Sequence, residues 1–158
     1  IRETLPNAKI CVDRFHLTQS INRCFDQLRQ QELKNANDQF TQGMLAPSRR
    51  FILTERDKKL VGTEKKLLEK LRNLNHNIHS GMLIVEYFHQ MLDKKTLQSF
   101  RASLTNWYLL VRESKIPIFT RFAKLVRRYR QNIEAYIVTR LTTAVSEGLN
   151  TKIKTLKR

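Results

Sequence analysis

The stretch Cys11-Val12-Asp13-Arg14-Phe15-His16 is where the predicted structure changes from strand to helix. Its first two residues end a short apolar run, Ala8–Val12, of the kind found in buried strands. From Leu17 to about Asn35, apolar residues recur every three or four positions, which predicts a helix with one buried face. These residues are Ile21, Cys24, Phe25 and Leu28. The pattern places the Asp13 carboxylate at the end of a strand, where parallel sheets commonly present functional groups.

A second short strand is predicted at Phe51-Ile52-Leu53, after a loop at Gly43 to Pro47. Strand, helix and strand in this order favour two parallel strands joined by a right-handed crossover. From Thr54 onward the apolar periodicity is helical. The predicted fold class is therefore mainly α, with two short parallel strands near the start.

Four local signals predict where the later helices begin and end. Thr54–Asp57 resembles a capping box, Ser80-Gly81 predicts a break, Asp93 a cap, and Pro117 a first helical turn. A final helix is expected from near Ser146 to the end. The positions expected to be apolar and packed include Leu60, Leu67, Leu71, Leu74, Leu83, Val85, Phe88, Leu92, Leu97, Phe100, Leu104, Trp107, Tyr108, Val111, Ile118, Phe122, Leu125, Tyr129 and Ile133.

Charge is the unusual property of the composition. Among 158 residues, 30 Lys and Arg against 14 Asp and Glu give a formal net charge of +16. Such a field favours polyanions, nucleic acid first and an anionic membrane surface second. No run approaches the ~20 apolar residues of a membrane span, and the start has no signal-peptide pattern.

The positive charge is concentrated toward the C-terminal end. Between Arg112 and Arg158 there are twelve basic and three acidic residues. One expected ridge comprises Arg121, Lys124, Arg127, Arg128 and Arg130, and a second comprises Lys152, Lys154, Lys157 and Arg158. Both are predicted to contact the phosphate backbone of DNA, and Arg14 is included with them.

The two cysteines, Cys11 and Cys24, are not arranged as a redox or zinc motif. Two reduced, buried thiols are expected, which is typical of a protein in the cytoplasm. The chain starts at Ile1 and stops amid basic residues at Arg158, so we expect a fragment of a longer protein.

Asp13 and Glu147 are the two acids with the most suggestive positions. Glu147 falls in the first turn of the predicted last helix, where the helix dipole favours a carboxylate. Paired divalent ions that cleave phosphodiesters are held by such hard oxygen ligands. A metal pair normally takes three or more carboxylates, and only these two stand out. Taken singly, each is better explained as a carboxylate that caps a helix or ends a strand.

The motifs Asp13–His16 and Glu147–Arg158 together resemble two signatures of bacterial insertion-sequence transposases, the ISL-three group of the DDE superfamily. Members carry D-R-F-H after a strand and close with E-G-x-N-x-x-I-K-x-x-K-R. Asn22 and Arg29 fit the helix after the first signature, and the resemblance spans nearly the whole chain. The Asn-Gly pair that often precedes the family's Glu is replaced by Thr143-Ala144.

The resemblance implies a partial ribonuclease-H-like core at residues 1–54, a helical insertion at 55–141, and a core helix at 142–158. It makes Asp13 and Glu147 the second and third ligands of a Mg²⁺ or Mn²⁺ site, with the first acid upstream. It puts His16 and Asn150 beside that site, although an ordinary packing or hydrogen-bonding role explains His16 equally well. It further implies metal-dependent DNA cleavage and strand transfer at insertion-sequence ends by a homodimer, with this fragment inactive alone.

The alternative is a non-catalytic basic helical module that binds nucleic acid or a protein partner. In that case Asp13 and Glu147 are ordinary caps and lie apart; in a metal site they approach within ~4–8 Å. A helical protein of the membrane surface is a third possibility. His76 and His79 are three residues apart on a helix, but no further zinc ligand is spaced to join them.

Overall fold

The computed structural model describes residues 12–49, 53 and 62–140. In these ranges the chain is mainly helical, with seven α-helices, one 3-10 turn at Pro47–Arg49 and no strand. The helices are α1 Arg14–Asn35, α2 Gln39–Leu45, α3 Thr63–Leu74, α4 His76–Leu92, α5 Leu97–Ser114, α6 Pro117–Arg128 and α7 Arg130–Thr139.

Helices α1 and α4 pack antiparallel and form the centre of the fold. At one end the Glu32 carboxylate accepts hydrogen bonds from Asn75 and Asn77, both at 2.8 Å. At the other end Arg14 pairs with Asp93. Polar contacts at the two ends thus fix the register of a helix pair whose middle is apolar.

Gly81 is the point of closest approach between these two helices. A Cβ at this position would lie 2.6 Å from Leu28 Cδ2 and 3.2 Å from two ring carbons of Phe25. The predicted helix break at Ser80-Gly81 is therefore wrong, because both residues lie inside α4. Glycine serves here to admit a neighbouring helix.

Three aromatic rings tie α4, α5 and α6 together. Phe88 lies 5.1 Å from Trp107 and 5.3 Å from Phe122, measured between ring centroids. Trp107 is fully buried, and its Nε1 donates to the carbonyl oxygen of Ile84 at 3.0 Å. The prediction that Trp107 belongs to the core is confirmed.

Helix α6 begins at Pro117, as predicted, but it ends earlier than the apolar spacing indicates. Tyr129 terminates α6 and starts α7, and 41% of its surface is exposed. Leu125 is also exposed, at 45%. The spacing predicts both residues on a packed face, and that prediction is wrong.

Several local predictions around α2 and α3 need correction. Helix α2 continues to Leu45, through part of the expected loop, and Leu53 is helical and buried, not in a strand. A short apolar run does not distinguish a strand from a buried helical segment. In α3, Leu68 is buried, whereas Leu74, which the spacing predicts to pack, is 59% exposed.

Asp93 does not cap the helix that follows it. That role belongs to Thr96, whose hydroxyl accepts from the backbone N–H of Ser99 at 3.2 Å. Asp93 cannot be that cap, because a cap must immediately precede the first helical residue. It instead ends α4 and binds Arg14.

The expected strands lie largely outside the described residues. Of Ala8–Val12 only Val12 is described, and it is neither strand nor helix. Phe51 and Ile52, the segment Thr54–Asp57, Leu60 and the last helix are outside as well. Within the described ranges, no helix has the combined length and hydropathy needed to cross a membrane.

Candidate metal site and nucleic-acid surface

Asp13 is the N-cap of α1, and its side chain is only 9% exposed. Its Oδ1 accepts a hydrogen bond from the backbone N–H of Phe15 at 2.8 Å. A carboxylate at this position satisfies a free N–H of the first turn and is favoured by the helix dipole. The cap therefore fixes the orientation of the carboxylate at the start of α1.

The backbone beside Asp13 is held against α7. The N–H of Val12 donates to the carbonyl oxygen of Asn132 at 3.3 Å. This contact joins the start of α1 to a residue far along the chain, so the start of α7 lies next to Asp13.

Arg14 faces the C-terminal end of α4. Its Nη1 lies 2.5 Å from Asp93 Oδ1. Burial works against the charged form of Arg14, but the hydrogen bond and charge of Asp93 outweigh it and raise the pKa of the guanidinium. Arg14, which is predicted to contact DNA, is thus already paired with Asp93 within the protein.

Arg140 binds the same end of α4, a contact that no sequence pattern indicates. It follows α7 in a left-handed conformation, with φ of 53°. Its guanidinium donates to the carbonyl oxygens of Leu92, at 2.8 Å, and Lys94. A residue with positive φ after a helix is usually Gly or Asn, so only the structure reveals this link.

The N terminus of α1, the C terminus of α4 and the start of α7 thus lie together, and we call this region the Asp13 end. Phe15 and His16 lie in its first turn with their rings 5.7 Å apart. Both are exposed, and Phe15 has 63% of its surface accessible. The His16 ring is open to solvent beside the candidate acid.

Arg29 matches the arginine that the family carries in the helix after its first signature. It is buried, with only 4% of its surface exposed. Its Nε bonds Asp26 at 2.9 Å, and its Nη1 donates to the carbonyl oxygen of Leu45. Arg29 therefore links α1 to the end of α2, and its role in the described structure is structural.

The basic ridge predicted on α6 is present on the surface. Arg121, Lys124, Arg127, Arg128 and Arg130 are all exposed. Arg127 lies over the Tyr108 ring at 5.2 Å, and Arg128 over the Tyr129 ring at 5.7 Å. Burial raises the pKa of Tyr108, and the charge of Arg127 opposes that shift. The opposite side of α6 is apolar, with Phe119, Phe122 and Val126 buried.

The remaining predicted site residues lie outside the described residues: Glu147, Asn150, Lys152, Lys154, Lys157 and Arg158. Cys11 is also outside, and Cys24 is a free thiol that is half-buried and not, as predicted, fully buried. In residues 12–49, 53 and 62–140, no three His, Cys, Asp or Glu side chains gather as a metal site. The distance between Asp13 and Glu147 stays a prediction.

Comparison with protein families identifies a transposase family. The model of the family DDE_Tnp_ISL3, described as a transposase, matches residues 1–158. No curated protein and no solved structure matches the chain.

Proposed function

The chain belongs to the ISL-three family of DDE transposases, and we propose that it contributes Asp13 and Glu147 to the metal site that cleaves and joins DNA. In this proposal residues 1–54 and 142–158 belong to a ribonuclease-H-like core. Residues 55–141 form a helical insertion in that core. The full enzyme acts on insertion-sequence ends as a homodimer in the bacterial cytoplasm.

The observation that supports this proposal is that Arg140, which follows α7, binds the C terminus of α4 beside Arg14, at the start of α1. Arg14 and Arg140 bind consecutive residues at the C terminus of α4, Asp93 and Leu92. Glu147 follows Arg140 by seven residues, which reach roughly 23 Å when extended. The helical insertion therefore ends near Asp13, and the span that follows is long enough for Glu147 to reach that carboxylate.

The residues fit a Mg²⁺ or Mn²⁺ site by their chemistry, since carboxylates are the ligands these ions prefer. Such ions activate the attacking oxygen and stabilise the leaving one. Asp13 is oriented for this role by its cap to Phe15 N–H and by the shielding of its side chain. His16 and Asn150 lie near the site in this proposal.

The phosphate backbone is held by basic residues on both sides of the site. These are Arg14, Arg127, Arg128, Lys152, Lys154, Lys157 and Arg158. Two carboxylates are too few for a metal pair, so a further acid from outside these 158 residues completes the site. The isolated chain then neither cleaves nor joins DNA, and Mg²⁺-dependent nicking that Asp13→Ala abolishes would refute this point.

One observation favours the non-catalytic alternative. The hydrogen bond from Phe15 N–H to Asp13 is what an ordinary N-cap makes. Asp38 provides a matched comparison, because its Oδ1 accepts from Thr41 N–H at the same distance of 2.8 Å at the start of α2. The two caps differ in burial, since Asp38 is exposed and Asp13 is not.

The test is Mn²⁺ binding to the whole chain, measured by electron paramagnetic resonance. Asp13→Asn and Glu147→Gln are each expected to lower affinity by roughly tenfold or more, a loss at least as large as that of an outer-shell partner. The double variant should lose little beyond the larger single effect, because both acids hold the same ion. Asn remains a good N-cap, so the fold is preserved.

Asp38→Asn is the control and should bind Mn²⁺ like the unmodified chain. Equal weak binding by the unmodified chain and all four variants would assign Asp13 and Glu147 to capping alone. Independent, additive losses would mean that the two acids bind separate ions and would contradict a shared site.

A further inference from the structure

Three cations form a continuous line on the outer face of α6. Arg121, Lys124 and Arg128 are exposed, and their spacings of three and four residues put them on one helix face. We call these three residues the α6 stripe. At 1.5 Å per residue it covers about 10 Å of the helix.

The stripe is the part of the basic ridge that neither pairs with a carboxylate nor packs over a half-buried ring. In the described part of the chain, none of its three residues pairs with a carboxylate. Arg130 differs, because its Nε bonds Glu134 at 2.8 Å. Arg127 differs as well, because it packs over the half-buried Tyr108 ring. Arg128 also lies over a ring, but that ring belongs to Tyr129, which is exposed.

The direction of the stripe follows from one interaction near each of its ends, and α6 packs against α1 between them. Its first residue, Arg121, lies near Cys24, where its charge lowers a thiol pKa that burial raises. Beyond its other end, Asn132 accepts a hydrogen bond from Val12. Helix α6 therefore runs antiparallel to α1, and the stripe runs from the middle of α1 toward Asp13.

We propose that the α6 stripe is a backbone track for duplex DNA that leads the substrate to Asp13. The proposal rests on the proposed function, since it takes Asp13 as the place of cleavage. One DNA strand carries a charge about every 3.4 Å of axis, so the stripe faces roughly three phosphates. Its cations hold the backbone without reading sequence.

The experiment measures binding of the whole chain to a short fluorescein-labelled duplex by anisotropy, over a range of salt concentrations and in EDTA. The triple variant Arg121→Gln, Lys124→Gln, Arg128→Gln should bind more weakly. The slope of log K against log salt should become shallower by about 2.7, that is by about 0.9 for each phosphate that is no longer neutralised.

The matched control changes three cations on another helix, Lys65→Gln, Lys66→Gln and Lys70→Gln. It removes the same net charge, and all three residues are exposed. Its salt slope should stay within about one unit of that of the unmodified chain. Thermal unfolding of both variants establishes that each is folded.

Equal losses in the two triple variants would overturn the track, because total charge would then decide binding. Tighter binding of single-stranded RNA than of duplex, weakened by the stripe variant, would assign the surface to RNA instead. Loss of poly-glutamate binding with DNA binding intact would assign it to an acidic protein. Because EDTA is present, failure of the metal site does not affect this measurement.

Discussion

Helices α3 and α6 have the same length and the same number of cations, yet their surfaces differ. Each contains 12 residues and four Lys or Arg, which for α3 are Lys65, Lys66, Lys70 and Arg72. Helix α3 also carries Glu64 and Glu69, so its net charge is +2, whereas α6 has no acid and carries +4. Composition alone therefore separates a mixed solvated surface from a purely cationic one.

Position separates them further. Helix α3 leads into Asn75, which bonds Glu32 near the C terminus of α1, about 28 Å along that helix from Asp13. Helix α6 instead ends beside the Asp13 end. The comparison teaches that a count of basic residues does not locate an anion surface; the absence of counter-charges and the position in the fold do.

The largest effect is expected from detaching α6 from the core. Phe122 is 5% exposed and touches the Phe88 and Trp107 rings, so Phe122→Ala should cost about 3–5 kcal/mol of unfolding free energy. Leu125→Ala, at an exposed position on the same helix, should change it by no more than about 0.5 kcal/mol. Urea unfolding measures both, and similar losses would mean that α6 is not anchored by the aromatic cluster.

The next largest effect tests the close contact between α1 and α4 at Gly81, which lies between α3 and α6 in the fold. Gly81→Ala puts a methyl group against Leu28 and Phe25 and should destabilise by about 1–3 kcal/mol. Gly43→Ala in α2 meets no atom within 4 Å and should stabilise by about 0.5–1 kcal/mol. Thermal unfolding should therefore show a lower stability for Gly81→Ala and a higher stability for Gly43→Ala. An unchanged stability of Gly81→Ala would show that α1 and α4 are not in close contact there.

A smaller effect tests whether charge or position decides DNA binding. Glu64→Gln with Glu69→Gln raises the net charge of α3 to that of α6, and duplex affinity should hardly change. Thr120→Glu in the first turn of α6 is compatible with the helix dipole but should weaken binding about fivefold, or ~1 kcal/mol. If the α3 variant gains as much affinity for duplex DNA as the α6 variant loses, the position of the charge does not decide binding.

The smallest effect concerns Glu134, which joins Arg101 and Arg130 at 2.7 and 2.8 Å. The hydrogen bond from Arg101, and then Arg130, lowers the pKa of Glu134 below its ordinary 4.5. Its contribution is thus present above about pH 4.5 and is lost as pH falls through the lowered value.

We expect Glu134→Gln to cost about 0.5–1 kcal/mol at neutral pH, as surface pairs do. The difference from the unmodified chain should disappear in acid, as followed by urea unfolding at several pH values. A difference that persists in acid would assign the effect of Glu134 to packing.

The helical character is predicted well by the sequence, because most apolar residues at helical spacing become the core; Leu74, Leu83, Leu125 and Tyr129 are exposed exceptions. Helix α1 and the start of α6 at Pro117 are confirmed, as is the burial of Trp107 and Phe122. These features depend on local pattern and on the size of apolar side chains, which the sequence contains directly.

Some errors come from features that depend on partners distant in sequence. Gly81 resembles a helix break until α1 packs against it. The error at Asp93 is local instead, because Thr96 immediately precedes Leu97 and caps that helix. For the candidate site, local pattern predicts Asp13 between a strand and a helix, and the helix is confirmed but begins at Arg14, directly after Asp13, and not at Leu17. Local pattern predicts neither the hydrogen bond from Val12 to Asn132 nor the role of Arg140, because neither has a local signature.

The most direct test of the shared acid site is iron-directed cleavage of the protein backbone. Fe²⁺ replaces Mg²⁺ in the whole chain, ascorbate and peroxide are added, and the fragments are mapped by mass spectrometry. Cleavage is expected next to both Asp13 and Glu147, with both cuts lost in Asp13→Asn and retained in Asp38→Asn. Cleavage near only one acid, or cuts at Glu147 that survive Asp13→Asn, would contradict a single metal site built from the two signatures.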